Sequence, residues 1–447
     1  MAKLTEGPVS VTLLHLALPM SLGFLSIIGF NLADTYFVAQ LGVNELAAIS
    51  FTFPVVMFVG SMTIGLGIGT SSVIARSLGE GNKEKVKKLA THSLGFALLF
   101  SGFFLILGLA TIKPLFQAMG ASDELIPLIQ DYMSIWYPGM LFLVIPMVGN
   151  SVIRATGDTK FPAMIMTLAA ILNIILDPLL IFGYSIFPRL ELQGAAIATV
   201  FARAGALFAS LAVLHFREKL LDFHLPTIKE LLDSWKNVLH VGLPAAASRV
   251  VVPLTICVIT RFIAGFGVKA VAAYGIATRI EAFALIIIIG LSASIGPFIG
   301  QNWGAKKFDR VKTAINFAFY FSILWSFFLT ITLLFFSQTI ISFFKNDRAV
   351  IMLASFYLCI VSPSYGFQGI QLISSAGFNA LGRPLPATFL TVIRMLFLYL
   401  PAAYIGGKYL GIYGIFSAPT IANLVSGVVA YLWVKKYLIE DRKNIAA

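Results

Sequence analysis

Two pairs of polar residues stand out because apolar sequence surrounds them. Asp34 lies in Phe30-Asn31-Leu32-Ala33-Asp34-Thr35-Tyr36, with Asn31 one helical turn before it. Asp177 lies in Leu172-Asn173-Ile174-Ile175-Leu176-Asp177-Pro178, four residues after Asn173. Residues spaced i, i+4 share one face of a helix. A carboxylate and an amide oxygen one turn apart suit a small hard cation, which prefers oxygen ligands. They equally suit a proton held between two acids. Asn150, in Met147-Val148-Gly149-Asn150, and Thr199 offer further oxygens, although amides and hydroxyls also bond membrane helices together.

The rest of the chain explains why these acids matter. Of 447 residues, only 12% are charged, against about 25% in an ordinary soluble domain. The apolar share is 58% and the mean hydropathy is +0.90. That composition excludes a soluble enzyme, a disordered chain and a disulfide-stapled secreted domain. It predicts an all-α polytopic membrane protein, because only helices or closed barrels satisfy their backbone in lipid. The apolar runs lack the two-residue alternation of a barrel. The five histidines are scattered, and Cys257 and Cys359 sit alone in apolar runs, so the sequence offers no metal set and predicts no cofactor. The opening residues show no cleavable signal pattern.

Twelve spans are expected at about 9–40, 46–77, 89–112, 124–153, 161–183, 192–216, 237–264, 270–301, 310–337, 347–381, 385–407 and 411–437. Alternate loops carry 21 Lys and Arg on one side against 6 on the other. The positive-inside rule then places both termini on the cytoplasmic side of the membrane.

Shifting the chain by 225 residues against itself superposes Leu18-Pro19 on Leu243-Pro244, Gly42-Val43 on Gly267-Val268, Gly65 on Gly290 and Gly157 on Gly382. Two parallel six-helix bundles follow, related by a pseudo-two-fold along the membrane normal. The expected division is an N-terminal lobe at 1–216, a cytoplasmic linker at 217–236 and a C-terminal lobe at 237–447. A duplicated twelve-span chain of this kind reads as a transporter whose bundles rock about a cleft. The shift sets Ile259 against Asp34 and Ala402 against Asp177, so the acid chemistry is confined to the first half.

Other polar and flexible positions complete the reading. Glu281 follows Arg279 by two residues and reads as a paired structural charge, with Arg249 as a second possible partner. Pro19 removes a backbone bond fifteen residues before Asp34 and marks a hinge or a static kink. The glycine run Gly65, Gly67, Gly69 suits close helix contact. Met20, Phe24, Tyr36, Met57 and Met62 are soft apolar candidates for a substrate chamber, or ordinary core and lipid-facing residues.

Several segments together resemble one known family. These are Gly79-Glu-Gly-Asn-Lys83, Arg154-Ala-Thr-Gly-Asp-Thr-Lys-Phe-Pro162, Leu176-Asp-Pro-Leu-Leu-Ile-Phe-Gly183, Tyr274-Gly-Ile-Ala-Thr-Arg-Ile-Glu281 and Gly300-Gln-Asn-Trp-Gly-Ala305. They look like the multidrug and toxic compound extrusion (MATE) family across the whole chain, with most similarity to its DinF-like branch. The resemblance implies an antiporter that exchanges H⁺ or Na⁺ for amphiphilic, often cationic drugs. Asp34, Asn173 and Asp177 match that branch's N-lobe cation site, Asn150 and Thr199 its supporting positions, and Pro19 its bending proline. In the implied cycle, a cation enters from outside and neutralises the carboxylates. The first helix then repacks and the drug leaves. The NorM-like branch carries an acid pair in its C-lobe. Here the stretches around Ala246-Ala247-Ser248 and Ser374-Ser375 offer none, which leaves Glu281 unassigned. The expected partners are small amphiphilic drugs and the lipid bilayer, with no nucleic acid and a monomer sufficing. The alternatives are a flippase for lipid-linked saccharides, a membrane-embedded enzyme and a passive channel.

Overall fold

The computed structural model describes residues 3–184, 187–222, 224 and 226–446. Arg442 and Lys443, which enter the loop-charge asymmetry, lie outside the described side chains. Sixteen α-helices follow in order: α1 (Val9–Ala39), α2 (Val43–Gly79), α3 (Lys83–Ala118), α4 (Leu125–Gly139), α5 (Leu141–Ala155), α6 (Lys160–Phe182), α7 (Glu191–Ala212), α8 (Ile228–Ala264), α9 (Val268–Ala284), α10 (Ile286–Gly304), α11 (Phe308–Ser342), α12 (Arg348–Val361), α13 (Tyr365–Ala380), α14 (Pro384–Val392), α15 (Leu400–Leu410) and α16 (Ile412–Ala446). Wider π-helical turns at Val213–Arg217 and Ile393–Tyr399 extend α7 and join α14 to α15. Among the described residues there is no strand.

Among the described residues, twelve helical stretches are long and apolar enough to cross a membrane, in the order expected. Large apolar side chains such as Phe335, Tyr320 and Phe103 remain exposed, as lipid-facing surfaces allow. The repeat is visible in the boundaries. α2 shifted by 225 residues spans α9 and α10, and the break between α4 and α5 at Met140 falls on Tyr365, where α13 begins. The expected eighth span, 270–301, is divided at Leu285, whereas α2 runs unbroken through the equivalent Gly60. The indole of Trp325 donates to the Ala284 carbonyl at that break (3.0 Å), satisfying a backbone acceptor there.

The chain forms two compact units. One comprises residues 1–3 and Pro19–Ala246; the other comprises Leu4–Leu18 and Ala247–Ala447. This division differs from the expected 1–216 and 237–447 halves at the first helix of each. Residues 4–18 group with the second unit, and α8 as far as Ala246 groups with the first. The change of unit within α1 falls at Pro19. Each unit holds two apolar cores.

Two terminal connections are anchored by specific bonds. In the second unit, residues 4–7 are clasped by the α10–α11 turn. The Leu4 N–H donates to Gln301 Oε1 (3.1 Å), and Asn302 Nδ2 donates to the Leu4 carbonyl (3.1 Å). Lys307 donates to the Thr5 carbonyl (2.9 Å), and Arg310 to the carbonyls of Gly7 (2.7 Å) and Glu6 (3.0 Å). The Gly300-Gln-Asn-Trp-Gly-Ala segment thus does more than turn the chain. Arg310→Ala should loosen residues 4–7 at a cost of about 1–2 kcal/mol. Faster amide exchange confined to that segment is the expected readout.

In the first unit, the linker expected at 217–236 is half helix, since α8 starts at Ile228. Its start is tied to α3. Lys88 pairs with Glu230 (2.6 Å), His92 Nδ1 bonds Ser234 (2.8 Å) and the Trp235 indole donates to the His92 carbonyl (2.9 Å). Arg217 pairs with Asp158 (2.7 Å) and stacks over Phe161.

Candidate functional site

The first unit buries Asn150, Asn173, Asp177 and Thr199 and leaves Asp34 half-buried. Asp177 has no exposed surface, Asn173 retains 2% and Thr199 4%. α6 carries Asn173 and Asp177 on one face, and α7 brings Thr199 against them. The hydrogen-bond pattern fixes the Asn173 amide: its nitrogen donates to Asp177 Oδ2 (2.9 Å), and its oxygen accepts from Thr199 Oγ1 (3.2 Å). Asp34 arrives on α1 and is near enough for its charge to act on Asp177. One Asp34 oxygen, Oδ1, is buried without a hydrogen-bond partner. A buried acceptor left open is costly, so it marks a place where a proton or cation would be stabilised.

α1 is held over this region by a bond between Ser26 and Thr167 on α6 (2.9 Å) and by close approach of Gly23 to Ala163. Asn150 is buried on α5 with Oδ1 unpartnered, outside the bonded set of Asn173, Asp177 and Thr199. Pro19 sits inside a continuous helix.

Two residues join the site that the sequence reading left out. Tyr132 on α4 and Arg203 on α7 both lie within electrostatic reach of Asp34. Arg203 follows Thr199 by four residues and therefore shares its face. That spacing was a usable signal.

Of the chamber candidates, Met20 is a correction. It has no exposed surface, being packed into the protein interior, where it was expected to line a chamber. Tyr36 and Met57 are exposed, and Phe24 and Met62 partly so.

Glu281 belongs to a different cluster in the second unit, and its partners also differ from expectation. Tyr357 on α12 donates to Glu281 Oε2 (2.7 Å), and the cation acting on it is Arg394, rather than Arg279 or Arg249. Arg394, in the π-helical turn, donates to Asn423 Oδ1 (3.1 Å), whose amide donates to Ser364 (3.0 Å). The sequence could not supply these partners, since they lie 76 and 113 positions away. Tyr357→Phe should lower thermal stability by about 1 kcal/mol without changing ion coupling. Scanning fluorimetry beside a transport assay separates the two effects.

By architecture, a duplicated twelve-span chain with polar clusters set among its apolar helices is a membrane transporter. The family model MatE matches residues 19–179 and 244–405, and the chain belongs to that family of MATE transporters. The FAD transporter of Shewanella oneidensis is 41% identical over 96% of this chain and 95% of the relative. The probable multidrug resistance protein YoeA of Bacillus subtilis is 28% identical over 89% of this chain and 88% of its own length. Among solved structures, the Vibrio cholerae MATE transporter VcmN in its bent form superposes with a TM-score of 0.91. It shares 29% identity, with 97% of each chain covered.

Proposed function

We propose that this protein is a cation-driven antiporter of the inner membrane, with both termini cytoplasmic, that expels an amphiphilic aromatic molecule by alternating access. The observation that carries the reading is the pair Asp34 and Asp177 on α1 and α6, Asp177 fully buried and Asp34 half-buried with its buried Oδ1 unpartnered. Two ionised carboxylates sharing a water-poor interior repel each other and lack solvation. Uptake of a cation relieves both costs, and its release restores them. The occupancy of the site therefore sets the energy of any helix arrangement that opens or closes it. α1, with Pro19 in its course, is the element placed to respond. The two acids titrate as a pair.

Two substrate readings stand on the relatives. The 41% identity to a FAD transporter supports a flavin dinucleotide or a similar aromatic nucleotide. The multidrug names of YoeA and of MepA from Staphylococcus aureus support amphiphilic drugs of more than one kind. The test is flux from proteoliposomes loaded with FAD or with a fluorescent cationic dye, under a proton gradient alone and then a sodium gradient alone. Saturable, gradient-driven flux of either compound supports the antiporter and names its substrate class. Movement of neither, with transfer of lipid-linked saccharides instead, would move the protein to the flippase reading.

A further inference from the structure

The turn that joins α10 to α11 carries more positive charge than it pairs. At the repeat-related turn of the first unit, between α2 and α3, acids match the cations: Lys85 pairs with Glu80 (3.1 Å), Lys87 with Glu84 (3.9 Å) and Lys88 with Glu230 (2.6 Å). The 225-residue shift sets Ala305 where Glu80 stands and Lys306 where Gly81 stands. The turn of the second unit has thus lost an acid and gained a lysine. Lys307 and Arg310 are taken up by the carbonyls of residues 4–7. Lys306 and Lys312 are exposed and form no ion pair among the described residues.

Lys306 is also an unfavourable residue for its own backbone. Its φ is +58°, against +77° at Gly81. Glycine adopts that left-handed region freely, whereas a side chain does so at a cost. The turn gains nothing from a lysine there, which leaves the charge itself as its use.

The surroundings define what that charge meets. Lys306, Lys307, Phe308, Asp309 and Arg310 line a surface hollow of about 370 Å³, one acid against three cations. Trp303 packs edge-on to Phe308 at 4.9 Å, an aromatic pair of the kind found at the lipid–water boundary. Farther along α11, about 12 Å from Lys312 at 1.5 Å per residue, an exposed apolar stripe begins: Tyr320, Leu324, Phe327, Ile331 and Leu334. Acyl chains cover such a stripe, and their headgroups then lie at the level of the basic turn.

We propose that the α10–α11 turn is a binding site for the phosphate of an anionic phospholipid, with Lys306 and Lys312 as its cationic contacts. Lysines beside a membrane span attract such headgroups, each raising affinity about fivefold. The inference uses neither Asp34 nor Asp177, and so goes beyond the transport reading and does not depend on it.

The test is native mass spectrometry of the purified full-length protein from mixed micelles of phosphatidylglycerol and phosphatidylcholine, reading the affinity for the first lipid bound. Wild type should prefer phosphatidylglycerol. Lys306→Gly should bind it about fivefold more weakly, and Lys306→Gly with Lys312→Gln about twenty-five-fold more weakly. Without lipid, Lys306→Gly should melt no lower than wild type, because glycine suits the left-handed backbone, so the loss is not one of folding. Lys306→Asn, which also tolerates that φ, repeats the comparison without the flexibility of glycine. Lys85→Gln, at the paired turn of the first unit, should change the affinity by less than about twofold. Undiminished affinity for phosphatidylglycerol in folded Lys306→Gly and Lys306→Asn would overturn the proposal. So would equal binding of the two lipids by wild type. Displacement of phosphatidylglycerol by inorganic phosphate at equal concentration would also overturn it, and would assign the turn to a free anion.

Discussion

Asp34→Asn is expected to reduce gradient-driven flux to the level of empty liposomes while leaving the protein folded in the membrane. The substitution keeps the shape of the side chain and removes its charge. An amide neither takes up and releases a proton in this range nor supplies the charge that holds a metal ion. The fold has little to lose, because Oδ1 makes no hydrogen bond in the structure. The stability change should stay within about 1 kcal/mol. Asp177→Asn should give the same transport loss with a larger stability effect, since Asp177 accepts from Asn173 at 2.9 Å. The discriminating measurement is flux under an imposed gradient beside a melting curve for the same preparation. Full flux in either variant would remove the pair from the mechanism.

Gly65→Leu should prevent recovery of folded, monodisperse protein. A Cβ at Gly65 would lie 2.6 Å from the Gly242 carbonyl oxygen and 2.6 Å from the Ala246 nitrogen, both backbone atoms of α8. Backbone cannot rotate aside as a flexible side chain does, so α2 and α8 would have to separate within the first unit. Overpacking commonly costs 1–3 kcal/mol, and against backbone a cost of about 3 kcal/mol or more is expected. Gly69 meets the Gly242 backbone in the same way, at 2.9 Å, so Gly69→Leu should behave alike. Gly60→Leu is the control: nothing lies within 4 Å of a Cβ there. The readout is detergent-extracted yield and size-exclusion profile. Normal yield of Gly65→Leu would mean the close contact carries little of the fold's stability.

Much of this architecture was legible because lipid imposes a simple code. Long apolar runs must be helices, so twelve spans could be read from hydropathy. The 225-residue repeat survived in glycines and prolines because turns and close helix contacts tolerate few other residues. The run Gly65, Gly67, Gly69 announced contact, and the structure supplies the partners: α8 for the outer two and Ser151 for Gly67. Asp34, Asn173 and Asp177 were visible for the converse reason. Polar groups in an apolar span are costly, so their presence there carries information.

Pairings between distant helices were not legible, because spacing along one helix says nothing about what another brings to it. Glu281 had an arginine two residues away in sequence, yet two residues point in different directions on a helix, and its partners come from α12 and the turn before α15. Residues 4–18 likewise join the second unit through contacts far apart in sequence: the clasp of residues 4–7 by Gln301, Asn302 and Arg310, and the packing of Leu13, Leu16 and Ala17 into its core.

By itself, then, the sequence determined the solvent, the helical class, the duplication and the placing of Asp34 and Asp177 in the first half, since each is a one-dimensional pattern of transfer energies. Only the tertiary structure decided that Thr199 meets Asn173, that Met20 is buried and that Arg203 lies within electrostatic reach of Asp34. Each of those depends on the rotation and approach of separate helices, which packing alone fixes.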